Sequence, residues 1–118
     1  MLAEARGAAL LYGLPALEAL HLATLAGALT LGLAAQIGSI EPGKSADLAC
    51  LDLEASGCGP ATDVAAAILF GATRTQVSDV WIAGRAAVSD GRLRLFDEEE
   101  LAALASQWTQ RLALEAAA

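Results

Sequence analysis

Cationic side chains are scarce: seven Lys and Arg stand against fourteen Asp and Glu, a formal net charge of −7. Such a chain has little with which to neutralise a run of phosphates, which argues against nucleic acid as a partner. The same balance disfavours an anionic membrane surface. Aromatic residues make up 4% of a sequence that is 56% hydrophobic, so Ala and Leu must do most of the packing. Cys50 and Cys58 are the only cysteines. No C-x-x-C metal spacing occurs and no secretory signal pattern opens the sequence, so free, reduced thiols in a cytoplasmic protein are expected. Cys50, inside an apolar run, is expected to pack as a small hydrophobe. A length of 118 residues makes this one domain or a piece of one. It is too short for a (β/α)8 barrel, which takes roughly 200 residues or more.

Charge is also missing from Ala19 to Ile40, a stretch long enough on paper to cross a bilayer. His21, Thr24, Thr30, Gln36 and Ser39 interrupt it, as do Gly27, Gly32 and Gly38, and no Lys or Arg flanks it closely. A deeply packed soluble helix pair fits these residues better than a membrane span.

Three zones follow from the patterning. Residues 1–36 read as helix broken at Gly13-Leu14-Pro15, where Pro15 suits a first helical turn. Leu17, Leu20, Leu25 and Leu29 then recur at helical spacing, with Ala between them for close packing. A kink or interruption is expected over Thr24 to Gly27, and a terminator at Gly32. Residues 37–96 change character. Ala46 to Leu53 reads as a strand bounded by a Pro-Gly turn and by Glu54 to Pro60. Asp63 is positioned to cap a helical turn or two over Ala65 to Phe70. Val77 to Ala83 alternates as a strand, Gly84-Arg85 turns the chain, and Ala86 to Ser89 pairs back as a hairpin. Asp90-Gly91 is a second turn, leading to Leu93 and Leu95. Residues 97–118 read as a helix capped by Asp97, with Glu98 to Glu100 at its positive end. Leu101, Leu104, Trp108 and Leu112 form an apolar stripe suited to lying on something larger. The last residues, Ala116 to Ala118, are expected to fray.

One motif suggests chemistry. Gly38 to Ser45, GSIEPGKS, satisfies the phosphate-loop pattern G-x-x-x-x-G-K-[ST]. A working phosphate loop runs from strand to helix, so that backbone N–H groups and the helix dipole converge on the ligand. Here a helix ending near Leu33 runs in and a strand beginning near Ala46 runs out. Pro42 lacks an N–H, and Glu41 sets a carboxylate where phosphate charge would lie. Asp52 is the nearest candidate magnesium ligand, and it does not end a suitable later strand. Nucleotide binding is therefore not expected. Pro42-Gly43 instead fits the centre of a type II turn, Lys44 reads as a solvated turn residue, and the stretch reads as strand, tight turn, strand. Asp47 is expected to anchor the adjoining turn through hydrogen bonds.

Four pieces in order carry a resemblance: EALHLATLAGALTLGL (18–33), IGSIEPGKSADLACLD (37–52), VSDVWIAGRAAVSDGRL (77–93) and DEEELAALASQW (97–108). Together they resemble the C-terminal end of the amidohydrolase superfamily, in its deaminase and chlorohydrolase branch. They are most similar to methylthioadenosine/S-adenosylhomocysteine deaminases and to N-ethylammeline or atrazine chlorohydrolase-like enzymes. The resemblance runs from about Leu2 to Leu112. It implies an α+β fragment: terminal helices of a (β/α)8 barrel (1–36), part of a small composite β-sandwich (37–96) and a C-terminal amphipathic helix (97–118).

The resemblance also implies what is elsewhere. Such enzymes hold zinc or another divalent metal through an H-x-H pair, two later His and an Asp, all upstream of the part matched here. This chain has one histidine, His21, at a variable position of the family helix, and it is read as a packed or partly exposed helical residue. No catalytic, cofactor-binding or metal-ligating residue is assigned, and no metal is expected to bind this stretch. The implied activity is that of a metal-dependent hydrolase removing an amino group or halide from purine- or triazine-like rings. The stretch itself would scaffold and not catalyse. Its implied partners are the missing N-terminal barrel and sandwich segments, with a homo-oligomer as a further option. A free-standing, non-catalytic interaction module derived from that family is the alternative.

Overall fold

The computed structural model describes residues 1–54 and 62–116. Cys58 and most of the Glu54 to Pro60 boundary lie outside the described residues, as do Ala117 and Ala118.

Two helices open the chain. α1 spans Leu2–Tyr12 and ends where Gly13 turns left-handed (φ 65), its last turn closed by Leu14 N–H donating to the Ala9 carbonyl. Pro15 then leads directly into α2, Ala16–His21. The helix continues as a π-helical stretch, Leu22–Ala26, and resumes as α3, Gly27–Thr30. The expected interruption over Thr24 to Gly27 is thus a widened turn. Thr24 Oγ1 donates within it to the Leu20 carbonyl at 2.8 Å, a back-bond that competes with regular helix geometry. Gly32 (φ 71) ends the helix, with Leu33 N–H reaching back to the Ala28 carbonyl.

The uncharged run from Ala19 to Ile40 is therefore a helix that stops at Thr30 and a coil beyond it. Among the described residues no helix is long and apolar enough to cross a membrane. The packing is also shallower than the sequence suggests. The alanines form the core: Ala5, Ala9 and Ala19 are buried with Leu69, flanked by Leu2, Leu14, Ala16, Leu20 and Ala23. Leu17 and Leu29, expected in the buried stripe, are 72% and 61% exposed. Small side chains let the helices approach closely, and the longer leucines project past the contact.

No strand precedes the Pro-Gly turn; residues 37–41 are irregular, correcting the expected strand, turn, strand. β1 is Leu48–Leu51, shorter than expected at both ends. Asp63 caps α4, Val64–Ala66, by accepting the Ala66 N–H at 3.0 Å, and a π-helical turn, Ala67–Gly71, follows. A short 3₁₀ turn, Arg74–Gln76, carries a capping box in which Gln76 Oε1 accepts the Thr73 N–H. β2 (Val77–Ile82), β3 (Arg85–Ser89) and β4 (Arg92–Leu93) complete an antiparallel sheet of order β1-β2-β3-β4. Leu48 stands opposite Trp81 and Val80 opposite Val88.

Both hairpin turns place two successive residues at positive φ, Ala83-Gly84 and Asp90-Gly91. That is the two-residue geometry matching the strands' twist. The first turn lies one residue earlier than Gly84-Arg85, since Arg85 is already in β3. Leu95 lies beyond β4. Cys50, expected to be packed, is exposed on β1 and free. β1 has β2 as its sheet neighbour on one side only, so its middle residues lie at an edge.

α5, Glu98–Ala116, begins where Asp97 Oδ1 accepts the Glu99 N–H at 2.9 Å. Every described residue of this helix is exposed, the apolar stripe included. The helix therefore stands away from the rest of the chain.

Two contacts hold the helical part together across long sequence distances. The Arg6 guanidinium donates from Nε to the Leu69 carbonyl at 2.7 Å and from Nη2 to the Ala72 carbonyl at 2.9 Å. Gly38 (φ 95) presses against α3, where a Cβ would stand 2.7 Å from the Ala28 Cβ and 3.0 Å from the Leu25 Cα.

The chain nevertheless leaves much of itself uncovered. Its accessible surface is 8739 Å², about 2,700 Å² more than the ~6,000 Å² of a folded monomer of this mass. Its radius of gyration is 18.1 Å, where a compact domain of this length has about 13.5 Å.

Replacing Arg6 by Ala is expected to lower the unfolding free energy by about 1.5–3 kcal/mol, because two carbonyls lose a charged donor. Hydrogen exchange of α1 peptides is expected to quicken accordingly, and unchanged exchange would refute the clamp. Gly38→Ala is expected to cost at least ~1–2 kcal/mol from its left-handed φ alone, with the overlap against Ala28 added. A Gly38→Ala protein as stable as the parent would show that the close approach to α3 is absent in solution.

Candidate functional site

GSIEPGKS is the segment whose sequence most suggests chemistry, and its geometry shows where each polar group is spent. Lys44 N–H donates to the Glu41 carbonyl at 3.2 Å with Gly43 at φ 92, the signature of the expected type II turn over Pro42-Gly43. Ser45 N–H donates to the Gln36 carbonyl at 2.8 Å. Of the four positions Pro42 to Ser45, Pro42 lacks a donor and the N–H groups of Lys44 and Ser45 are spent, which leaves Gly43.

Lys44 departs from expectation. Its side chain is only 12% exposed, and Nζ bonds to Ser39 Oγ at 2.5 Å and to Glu41 Oε1 at 3.3 Å. Ser39 Oγ in turn donates to Glu41 Oε1 at 2.5 Å. The Ser39 hydroxyl first, and Lys44 beside it, hold the Glu41 carboxyl below its ordinary value. The ammonium is thus neutralised inside the turn. A phosphate would have to displace a carboxylate already in place.

Asp47 behaves as expected and reaches further. Its Oδ1 accepts the Ala83 N–H at 2.7 Å, while Gly84 N–H donates to the Ala46 carbonyl at 3.0 Å. The Ala-Asp pair after the turn therefore fixes the tip of the β2–β3 hairpin. This explains why a G-K-x-A-D-L segment and a later V-W-x-x-G segment occur in one sequence: one supplies the acceptors for the other's turn. Asp52 closes a local turn, its Oδ1 accepting the Glu54 N–H at 3.0 Å.

His21 is exposed on α2, beside a shallow, open and largely apolar depression that it lines with Pro15, Leu17 and Glu18. Among the described residues no three His, Cys, Asp or Glu side chains come together as a metal-binding group. Zinc coordination takes three or four such ligands. The residues described here do not fit a zinc centre, and His21 has no partners for one. The capping box at Thr73 and the Arg6 clamp were not anticipated. Thr73-x-x-Gln76 matches the capping pattern in sequence and was findable; Arg6 carried no local signal.

The profile of the Amidohydrolase family matches residues 1–87. The 5-methylthioadenosine/S-adenosylhomocysteine deaminase of Syntrophomonas wolfei is 34% identical over 99 residues, 84% of this chain and 23% of that protein. Among solved structures, an adenosine deaminase from Xanthomonas campestris with bound zinc is similar over 97% of this chain and 28% of its own, at 41% identity and a TM-score of 0.87. An atrazine chlorohydrolase from Arthrobacter aurescens complexed with zinc is similar over 91% of this chain and 26% of its own, at 29% identity and a TM-score of 0.78. The chain spans about a quarter of the length of the relatives it matches.

Calorimetric titration of the chain with ATP or GTP and magnesium is expected to give no binding heat. Magnesium-dependent binding that is lost in Lys44→Ala would overturn the account of the turn.

Proposed function

Since the chain belongs to the amidohydrolase family, we propose that it is the C-terminal portion of a metal-dependent hydrolase of the deaminase and chlorohydrolase branch. On this reading α1 to α3 are closing helices of a (β/α)8 barrel, and the β1–β4 sheet is half of a composite sandwich. The whole enzyme would act on C–N or C–halide bonds of purine- or triazine-like rings. This portion would scaffold the barrel without touching the reacting atoms, and zinc or another divalent metal would sit on residues supplied by the rest of the polypeptide.

The observation that carries the reading is the likeness, at 41% identity and over 97% of this chain, to a zinc-bound adenosine deaminase more than three times as long. The uncovered surface supports it. An excess of about 2,700 Å² over a compact monomer exceeds a standard protein interface of about 1,600 Å², and the exposed side chains include Leu10, Leu31, Ile40 and Phe70. A surface of that kind suits a chain that packs against further segments of a larger fold. The Asp47 anchor and the Arg6 clamp keep the two parts of the portion in shape for the segments that would cover them.

A chimaera joining the upstream part of the Xanthomonas campestris deaminase to Met1 tests this directly. It is expected to be monodisperse and to deaminate adenosine when loaded with zinc, followed by the change in purine absorbance. The isolated chain is expected to be inactive and to self-associate. Zinc-dependent deamination by the isolated chain, or a monodisperse and cooperatively melting isolated monomer, would count against the proposal.

A further inference from the structure

α5 lies outside the family profile, which ends at residue 87, yet it is part of the structural match. A likeness covering 97% of this chain leaves too few residues unmatched to omit a helix of 19. It is therefore a feature shared with the solved deaminase, and the likeness to the atrazine chlorohydrolase over 91% of this chain reaches into it as well. Its stripe is half bare: Leu101, Leu104, Trp108 and Leu112 are 41%, 44%, 58% and 60% exposed. Strong helix formers fill most of this 19-residue helix, yet in a protein most helical stability comes from tertiary packing of such a face. Here no residue of the helix is buried against the described residues.

A second copy is a poor occupant for it. Four side chains exposed to this degree offer on the order of 100 Å² each, so two α5 stripes face to face bury about 800 Å², short of the ~1,200–2,000 Å² of a stable interface. The same stripe docked on its own polypeptide meets no loss of translational freedom and needs no such area. Charge points the same way. Glu98, Glu99 and Glu100 crowd the first turn, and Arg111 is drawn over the Trp108 ring at 5.3 Å, leaving few cations to pair a second acidic end.

We infer that the Leu101–Leu104–Trp108–Leu112 face of α5 is an intramolecular docking surface, occupied by an apolar patch on the part of the longer polypeptide that precedes this chain. The inference rests on the proposed function above and adds to it the element that makes the contact. α5 then acts as a strap from the sheet back to the body of the enzyme.

The test uses the chimaera and the isolated chain, each with Trp81→Phe, and with any tryptophan of the upstream part also changed to Phe, so that Trp108 alone fluoresces. At low protein concentration, acrylamide quenching of Trp108 is expected to fall at least threefold in the chimaera relative to the isolated chain. Hydrogen exchange of α5 peptides, which needs no substitution, is expected to slow in parallel. In the chimaera, Leu104→Asp is expected to restore fast exchange in α5 while the β2–β3 peptides keep their protection. Active chimaera with Trp108 as accessible as in the isolated chain would overturn the docking and leave the proposed function standing. Inactive chimaera with Trp108 shielded would do the reverse. Shielding in the isolated chain that grows with concentration and saturates would assign the face to a second copy and overturn the inference.

Discussion

The structure depends on a guanidinium reaching across more than sixty residues. Arg6, on the first helix, donates to the carbonyls of Leu69 and Ala72, at the end of the π-helical turn that follows α4. Those carbonyls belong to a helix end, where the backbone's own partners run out. Arg6 satisfies them with a charged donor, and in doing so closes a loop that contains β1 and the turn before it. Around this clamp the core is a contact of alanines on one leucine, Leu69. Such a core buries little area per residue, so directional bonds carry an unusual share of the cohesion. Removing a methyl group from an alanine core gains nothing, and adding one at Gly38 has nowhere to go.

The same economy governs the join between helices and sheet. Ser45 N–H to Gln36, Gly84 N–H to Ala46 and Ala83 N–H to Asp47 are three bonds within a few residues of one another. They set the turn after α3 against the tip of the β2–β3 hairpin. A segment that spells a phosphate loop thus has the N–H groups of Lys44 and Ser45 spent on the Glu41 and Gln36 carbonyls, and its lysine held by Ser39 and Glu41 within the turn. The chemical meaning of Lys44 comes from Glu41, three residues earlier, which a pattern of glycines does not consider.

This also explains which parts were legible in the sequence. Local chemistry was: the Asp63 cap, the Pro42-Gly43 turn, the Asp90-Gly91 turn, the Gly13 and Gly32 stops and the start of α5 at Asp97 all follow from residues adjacent to the feature. What needed partners distant in sequence was not. Arg6 gives no sign of its carbonyls. Lys44 reads as solvated in the sequence because its burial comes from the fold around the turn. Cys50 was read as packed because Leu48 to Leu51 is apolar throughout, and apolarity alone does not say which side of an edge strand faces a neighbour. Leu17 and Leu29 were read as core because helical spacing identifies a stripe without saying how much of it is covered. For the candidate site the sequence was informative chiefly by subtraction, since one histidine cannot assemble a metal centre.

The overestimates of burial share one cause. Deeply packed helices, a packed Cys50 and a covered α5 stripe all presuppose a surface opposite, and each of those residues has an apolar composition appropriate to having one. The chain exposes about 2,700 Å² beyond a compact monomer of its mass. Contiguous exposed apolar patches above a few hundred Å² invite association, and side chains such as Leu10, Leu31 and Ile40 are of the kind that form them. Their apolar composition suits the larger fold proposed above better than the exposure seen in this structure. A sequence records the environment in which its side chains were selected. Where that environment includes segments absent from the chain, the mismatch between composition and exposure marks the faces they would cover. Here those faces are the outer leucines of α1 to α3 and the stripe of α5.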